Sequence, residues 1–231
     1  MPFSLRFPIA LVLPIVCLAT PAWADFQAGM DAYNREDYAT ALREWRSLGA
    51  LGNAKAQYNL GVLYDNGYGV LKDYGQARLW YEKAAVQNHA VAQYNVGVMY
   101  AQGHGVTQDY GQAQQWYEKA AAQGLAEAQL NLGLLYGNGL GIPQNYGQAR
   151  AWWKKAAAQG NTKAQYNLGV LYDNGYGIPR DLVQAHKWHS LAAANGHKEA
   201  ASFRDAIAKQ MTPAQIVEAQ KLAREWKQIK K

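Results

Sequence analysis

By type and spacing, the residues best suited to chemistry are three histidines near the end of the chain: His186, His189 and His197. An i, i+3 pair on a helix can present two imidazoles to one metal ion, with a third ligand nearby. The positions argue against that use. His186 lies 36 residues after Arg150, 72 after Gln114 and 108 after Arg78, which marks a solvent-facing position. His189 follows Trp153, Tyr117 and Tyr81 at the same intervals, which marks a core aromatic position. No metal and no cofactor is expected. Acyl transfer of the Ser-x-x-Lys kind needs a lysine three residues after the serine. Ser47, Ser190 and Ser202 have none there, and no His-Glu-x-x-His occurs. Gly67-Tyr68-Gly69 is half of a dinucleotide fingerprint, but no strand precedes it. Glu82-Lys83 and Glu118-Lys119 read as solvated helix charges. The chain is not expected to be an enzyme.

The first 24 residues read as a signal peptide. Arg6 is a short positive region, Pro8–Leu18 is apolar, and Ala22-Trp23-Ala24 fits a small-x-small cleavage site. The apolar run is too short for a membrane span, and none follows. Cleavage is expected after Ala24, giving a periplasmic or secreted protein. Cys17 is the only cysteine and leaves with the signal. The mature chain then has no disulfide, thiolate metal site or thiol catalysis, and packing alone must hold it.

The formal charge is +6, with 49% apolar residues and 12% aromatics, 16 of them Tyr and 8 Trp. Residues 198–231 carry 8 basic against 4 acidic residues, so the excess sits in the tail. A nucleic-acid binder would spread basic surface over its body, so no nucleic-acid partner is expected.

The elements that position these residues come from a repeat. "KAQYNLGVLYDNGYG" stands at 55–69 and again at 163–177, three periods of 36 apart. Four units fit that frame without gaps: 54–89, 90–125, 126–161 and 162–197. A period of this length points to a solenoid of helix pairs. In the first unit, helix A is expected from about Ala54 to Asn66, with Ala56, Leu60, Leu63 and Tyr64 on one face. Gly67 and Gly69 stop it, because glycine tolerates a left-handed helix exit. Asp73, Asp109, Asn145 and Asp181 are N-caps for helix B. Helix B ends at Asn88, Gly124, Gly160 and Gly196. The small Gly61 and Ala77 imply close helix approach, with Tyr64 and Trp80 as the large residues lying over such surfaces and Ala77, Trp80, Tyr81 and Ala84 facing inward. Residues 25–53 form a degenerate leading pair. Residues 198–231 form a capping segment, with a helix over Lys198–Gln210 and a last helix from Pro213, capped by Thr212, to about Lys230.

The pattern A-x-x-x-L-G-x-x-Y-x-x-G-x-G-[VI]-x-x-[DN]-x-x-x-A-x-x-W-[YW]-x-K-A-A strongly resembles the Sel-1-like repeat, a relative of tetratricopeptide repeats. Val96 replaces Leu in unit two, and His189-Ser190-Leu191 replaces aromatic-x-Lys in unit four. The resemblance implies an all-α, right-handed α/α superhelical solenoid of antiparallel helix pairs. It also implies an exported bacterial adaptor that holds a protein or peptide partner on the concave helix A face. Cysteine-rich members bind or cleave β-lactams. A β-lactam or peptidoglycan fragment is therefore the alternative ligand, though this chain lacks the regularly spaced cysteines.

On that face stand Lys55, Tyr58, Asn59 and Asp65 in unit one, and Tyr94 and Asn95 in unit two. Unit three contributes Glu127 and Asn131, and unit four Lys163, Tyr166, Asn167 and Asp173. The recurrent Asn can donate and accept, which suits a peptide backbone. The alternative is that each Asn bonds its neighbouring repeat and fixes stacking. The duplicated stretch reads either as two similar contacts flanking a different centre or as the trace of a recent duplication.

Overall fold

A computed structural model describes residues 25–226. The expected signal peptide, residues 1–24, and the end of the expected last helix, 227–231, lie outside the described residues. Twelve helices and no strand occur among the described residues. The leading pair is α1 (Phe26–Asn34) and α2 (Tyr38–Ala50). Units one to four contribute α3 (Ala54–Asn66) with α4 (Tyr74–Ala85), α5 (Ala90–Gln102) with α6 (Tyr110–Ala122), α7 (Ala126–Asn138) with α8 (Tyr146–Ala158), and α9 (Thr162–Asn174) with α10 (Leu182–Ala194). The capping segment is α11 (Ala200–Ala208) and α12 (Pro213–Glu225). From α2 to α11 each helix packs on the one before it, and α12 packs on α10. The fold is an all-α solenoid built by consecutive helix pairs.

The helices start and stop where local chemistry dictates. Asp73, Asp109, Asn145 and Asp181 each accept the N–H three residues on, at 2.9–3.0 Å. These carboxylates and this amide satisfy backbone donors that the first turn leaves free. Gly67, Gly103, Gly139 and Gly175 end helix A in the left-handed region, with φ of 76, 71, 67 and 68°. The second glycine of each Gly-x-Gly has a different duty. A Cβ on Gly105 would stand 2.6 Å from the Tyr74 backbone, and one on Gly177 2.7 Å from the Tyr146 Cβ. The loop of each unit thus lies against the start of helix B in the unit before. Thr212 caps α12 in a reciprocal box with Gln215, with Pro213 at the first helical position.

Packing inside a pair rests on an aromatic ring laid over a glycine. A Cβ on Gly97 would meet the Tyr117 ring at 2.7 Å, and one on Gly169 would meet the His189 ring at 2.6 Å. Tyr81 covers Gly61 and Trp153 covers Gly133 in the same way. Glycine inside a helix costs about 1 kcal/mol relative to alanine. Burying a large ring against it returns about 2 kcal/mol or more. This corrects the sequence reading in one respect. Tyr81, not Tyr64 or Trp80, is the ring over Gly61. Trp80 points back to the preceding pair, where a Cβ on Gly49 would stand 3.2 Å from its ring, and packs against the cluster that holds Trp45 and Leu60. Trp116 and Trp152 do likewise, and Lys83, Lys119 and Lys155 lie over their rings at 3.9–4.0 Å.

Candidate functional site

The helix A face is graded from rim to floor. Lys55, Glu127 and Lys163 are exposed at its start. Tyr58, Tyr94 and Tyr166 are half-buried one turn further on, as are Asn59, Asn95, Asn131 and Asn167 beside them. Leu130, the unit-three counterpart of the tyrosines, is buried. Asp65 and Asp173 are half-buried but differently engaged. Asp65 accepts from the Tyr81 hydroxyl at 3.3 Å, while Asp173 pairs with Arg180 at 2.8 Å. Two of the tyrosines stack onto the histidine that ends their own unit. Tyr58 lies 4.7 Å from the His89 ring, and Tyr166 lies 4.2 Å from His197.

The four asparagines are not equivalent. Asn95 stands beside the Tyr81 hydroxyl, and Asn131 beside those of Tyr117 and Tyr94. Burial pushes the Tyr81 and Tyr117 hydroxyls well above the ordinary phenol range, and the asparagine amides only partly oppose it. These two phenols therefore stay protonated in water near neutrality. Asn59 reaches the Met30 sulfur at 3.5 Å. Asn167 has no side-chain hydrogen bond among the described residues.

A polar ladder that sequence reasoning missed runs beside this face. Gln57, Gln93, Gln129 and Gln165 are buried, between 0 and 5% exposed. Each donates to a backbone carbonyl of the preceding helix B: Gly49 at 3.0 Å, Ala85 at 3.0 Å, Ala121 at 3.3 Å and Ala157 at 3.3 Å. Each also accepts from the end of its own unit's helix B. Gln87 and Gln123 donate at 2.7 Å, Gln159 and Asn195 at 2.9 Å. Every junction is thus clamped by a buried amide with both halves satisfied, which is the condition for a buried polar group to be tolerated. The signal was present as an invariant Gln after Ala56, Ala92, Ala128 and Ala164. Nothing local says that it points inward.

The histidines are spent in packing. His186, expected to face solvent, is buried because α11 covers it, bringing Arg204 and Asp205 near, and its Nδ1 lies 3.4 Å from the Ser190 hydroxyl. His189 is fully buried between Tyr166 and Phe203, with ring centroids at 5.4 and 5.5 Å. Neither of its nitrogens has a partner among the described residues. Burial holds its pKa down to about 4. Asp173 pulls the other way, and His197 and His186 add to the lowering. No group of three His, Cys, Asp or Glu side chains converges among the described residues. None of the described helices is long and apolar enough to cross a membrane.

Stacked helix pairs define a helical-repeat scaffold. The comparisons give that class its family. The Sel1 repeat matches residues 54–89, 90–125, 126–161 and 162–197. The chain belongs to the Sel1 repeat family. Among solved structures it is similar to a protective antigen present in uropathogenic Escherichia coli strains, which displays an SLR fold. The two share 35% identity with a TM-score of 0.79 over 87% of this chain and 44% of the antigen. The chain therefore spans less than half the length of that relative. A Sel1 repeat protein from Oxalobacter formigenes is 32% identical, with a TM-score of 0.76 over 85% of each chain. A Sel1 repeat protein from Klebsiella pneumoniae, at 22% identity and a TM-score of 0.51, shares the fold. No curated protein matches the chain.

Proposed function

We propose that this protein is an exported, non-enzymatic adaptor. It holds a protein or peptide partner along its helix A face, the concave side in arrays of this kind. Sel1 repeats are scaffolds that mediate protein interaction, and the face has the composition such work needs. The observation that carries the reading is the gradient just described. Lys55, Glu127 and Lys163 form an exposed charged rim over half-buried tyrosines and asparagines. Rims of this kind tune recognition while the amphipathic floor supplies contact area. Export is supported by the signal-like first 24 residues and by the likeness to a protective antigen.

Photo-crosslinkers placed at Lys55, Glu127 and Lys163 in cells test the adaptor role. The same partner band should form at the rim, and Lys55→Glu with Lys163→Glu should weaken it at least tenfold without changing the melting curve. Equal capture from a crosslinker on the helix B side, at Glu118, would remove the helix A assignment. Turnover of nitrocefin by the purified protein would overturn the non-enzymatic reading in favour of a β-lactam-directed one. Mass spectrometry of the exported chain should show an N-terminus at Asp25.

A further inference from the structure

The grooves between successive helix A elements differ in the aromatic side chain that borders them. At the junctions of units one with two and two with three, that aromatic is Tyr81 or Tyr117. Each phenol lies near the asparagine of the next unit, Asn95 or Asn131, and that of Tyr81 donates to Asp65 at 3.3 Å. At the junction of units three and four it is Trp153. The indole has no hydroxyl, and its Nε1 donates backward to the Leu130 carbonyl at 3.3 Å. The half-buried Asn167 is left at the edge of a cavity of about 280 Å³. Trp153 lines the cavity with Leu134 and Val170, and the stacked Tyr146–Tyr176 pair, with centroids 5.0 Å apart, also borders it.

The same exchange occurs at the other end of the array. Trp45 turns its Nε1 to the Phe26 carbonyl at 3.4 Å, and a cavity of about 150 Å³ lies beside Asn59. There Met30 stands against the opening, and its sulfur takes the Asn59 amide. An indole in this position leaves a hole twice. Methionine narrows the first, and the second stays larger.

We propose that the groove between units three and four receives one uncharged, bulky apolar side chain of an extended partner peptide, whose adjoining peptide group bonds Asn167. The proposal rests on the adaptor reading and specifies its partner. No residue lining the cavity carries a formal charge. A lysine or glutamate side chain entering it would lose hydration without gaining an opposite charge. The indole offers a broad apolar surface for the entering side chain. The Asn167 amide offers one acceptor and two donors, matching a peptide N–H and C=O. The volume is just below the roughly 300 Å³ at which pockets for drug-sized ligands begin, so it suits a single residue.

Capped amino acids are the probes: the N-acetyl amides of phenylalanine, leucine, lysine and glutamate. Two-dimensional NMR on the purified protein follows the Trp153 indole N–H, assigned by its loss in Trp153→Tyr, and the Asn167 side-chain amide. The phenylalanine and leucine probes should shift both signals saturably, and the lysine and glutamate probes should not at equal concentration. Trp153→Tyr restores the phenol found at 81 and 117. It should weaken phenylalanine binding at least tenfold while circular dichroism and melting stay unchanged. Asn167→Ala should weaken it several-fold. Absence of a saturable shift, an equal response to charged probes, or undiminished binding by Trp153→Tyr overturns the pocket. So does a shift that tracks self-association in sedimentation. If the probes fail while the rim crosslinkers still capture a partner, the pocket falls alone. If capture itself fails, the adaptor reading falls.

Discussion

Residues 55–69 and 163–177 are the same fifteen letters, and their surroundings differ. In unit one the helix A glycine, Gly61, lies under Tyr81, whose hydroxyl reaches Asp65 at 3.3 Å. In unit four Gly169 lies under His189, which has no hydroxyl, and Asp173 turns to Arg180 at 2.8 Å. Tyr64 takes a bond from Arg46 at 2.8 Å and stays half-buried, whereas Tyr172 is buried in the cluster that α12 closes. Identical sequence therefore makes identical helices but not identical contacts. The residues that set the difference lie on helix B, in the loop before it and on neighbouring pairs.

The largest losses are expected at the glycines under the helix B rings. Gly133→Ala would put a methyl group into the buried Trp153 ring. It should cost about 3 kcal/mol in chemical denaturation, as overpacking of a close contact does. Gly169→Ala meets a smaller ring at 2.6 Å and should cost less. Equal losses would show that ring size does not set the tolerance.

Acid separates the two units next. In the unfolded chain His189 has its ordinary pKa near 6.5, and in the fold burial lowers it to about 4. Neutral histidine is then favoured in the fold, so the full stability is present above the unfolded value. It is lost as protons bind the unfolded chain first, while pH falls from 6.5 toward 4. Roughly 2 kcal/mol should go between pH 7 and pH 5 by linkage. His189→Tyr, which makes unit four resemble units one and two, should remove that part of the slope in urea titrations run across this range. An unchanged slope would assign the acid sensitivity elsewhere.

The glutamine clamp should cost less and about equally wherever it is cut. Gln93→Ala leaves the Ala85 carbonyl and the Gln123 amide unmatched, a loss of about 1.5 kcal/mol. Gln165→Ala strands the Ala157 carbonyl and the Asn195 amide and should match it. A large difference between the two would mean that the capping helices share the load in unit four. The smallest effect is expected at Lys119→Met, which removes a cation from the half-exposed Trp116 ring and should shift stability by about 0.5 kcal/mol. Unit four lacks this pair, because Leu191 replaces the lysine. Its Trp188 instead packs edge-on against Trp226 at 4.6 Å, with Lys187 over both rings.

Much of the fold was legible because it is local. Helix A of unit one was expected from Ala54 to Asn66 and runs over those residues, since Gly67 cannot be mistaken for a helix continuation at φ 76°. The Asp73 series caps helix B, as carboxylates at that spacing must. The candidate face was legible as a list of positions, but its division was not. Asn59, Asn95, Asn131 and Asn167 share one letter and one register. Whether a phenol, a methionine or nothing among the described residues meets the amide depends on a residue of another helix. His186 was read as solvent-facing because its equivalents are polar, and α11 buries it.

The sequence by itself determined the period, the helix ends and the alternation of small and large residues. Each follows from backbone sterics, capping and side-chain volume within a few residues. Only the tertiary structure decided which ring covers which glycine, that Gln57 and its three counterparts clamp the junctions, and that a cavity opens beside Trp153 and Asn167. Those outcomes depend on pairs such as Gln57 with the Gly49 carbonyl or Gln93 with the Ala85 carbonyl, which belong to different helix pairs and meet only once the repeats stack.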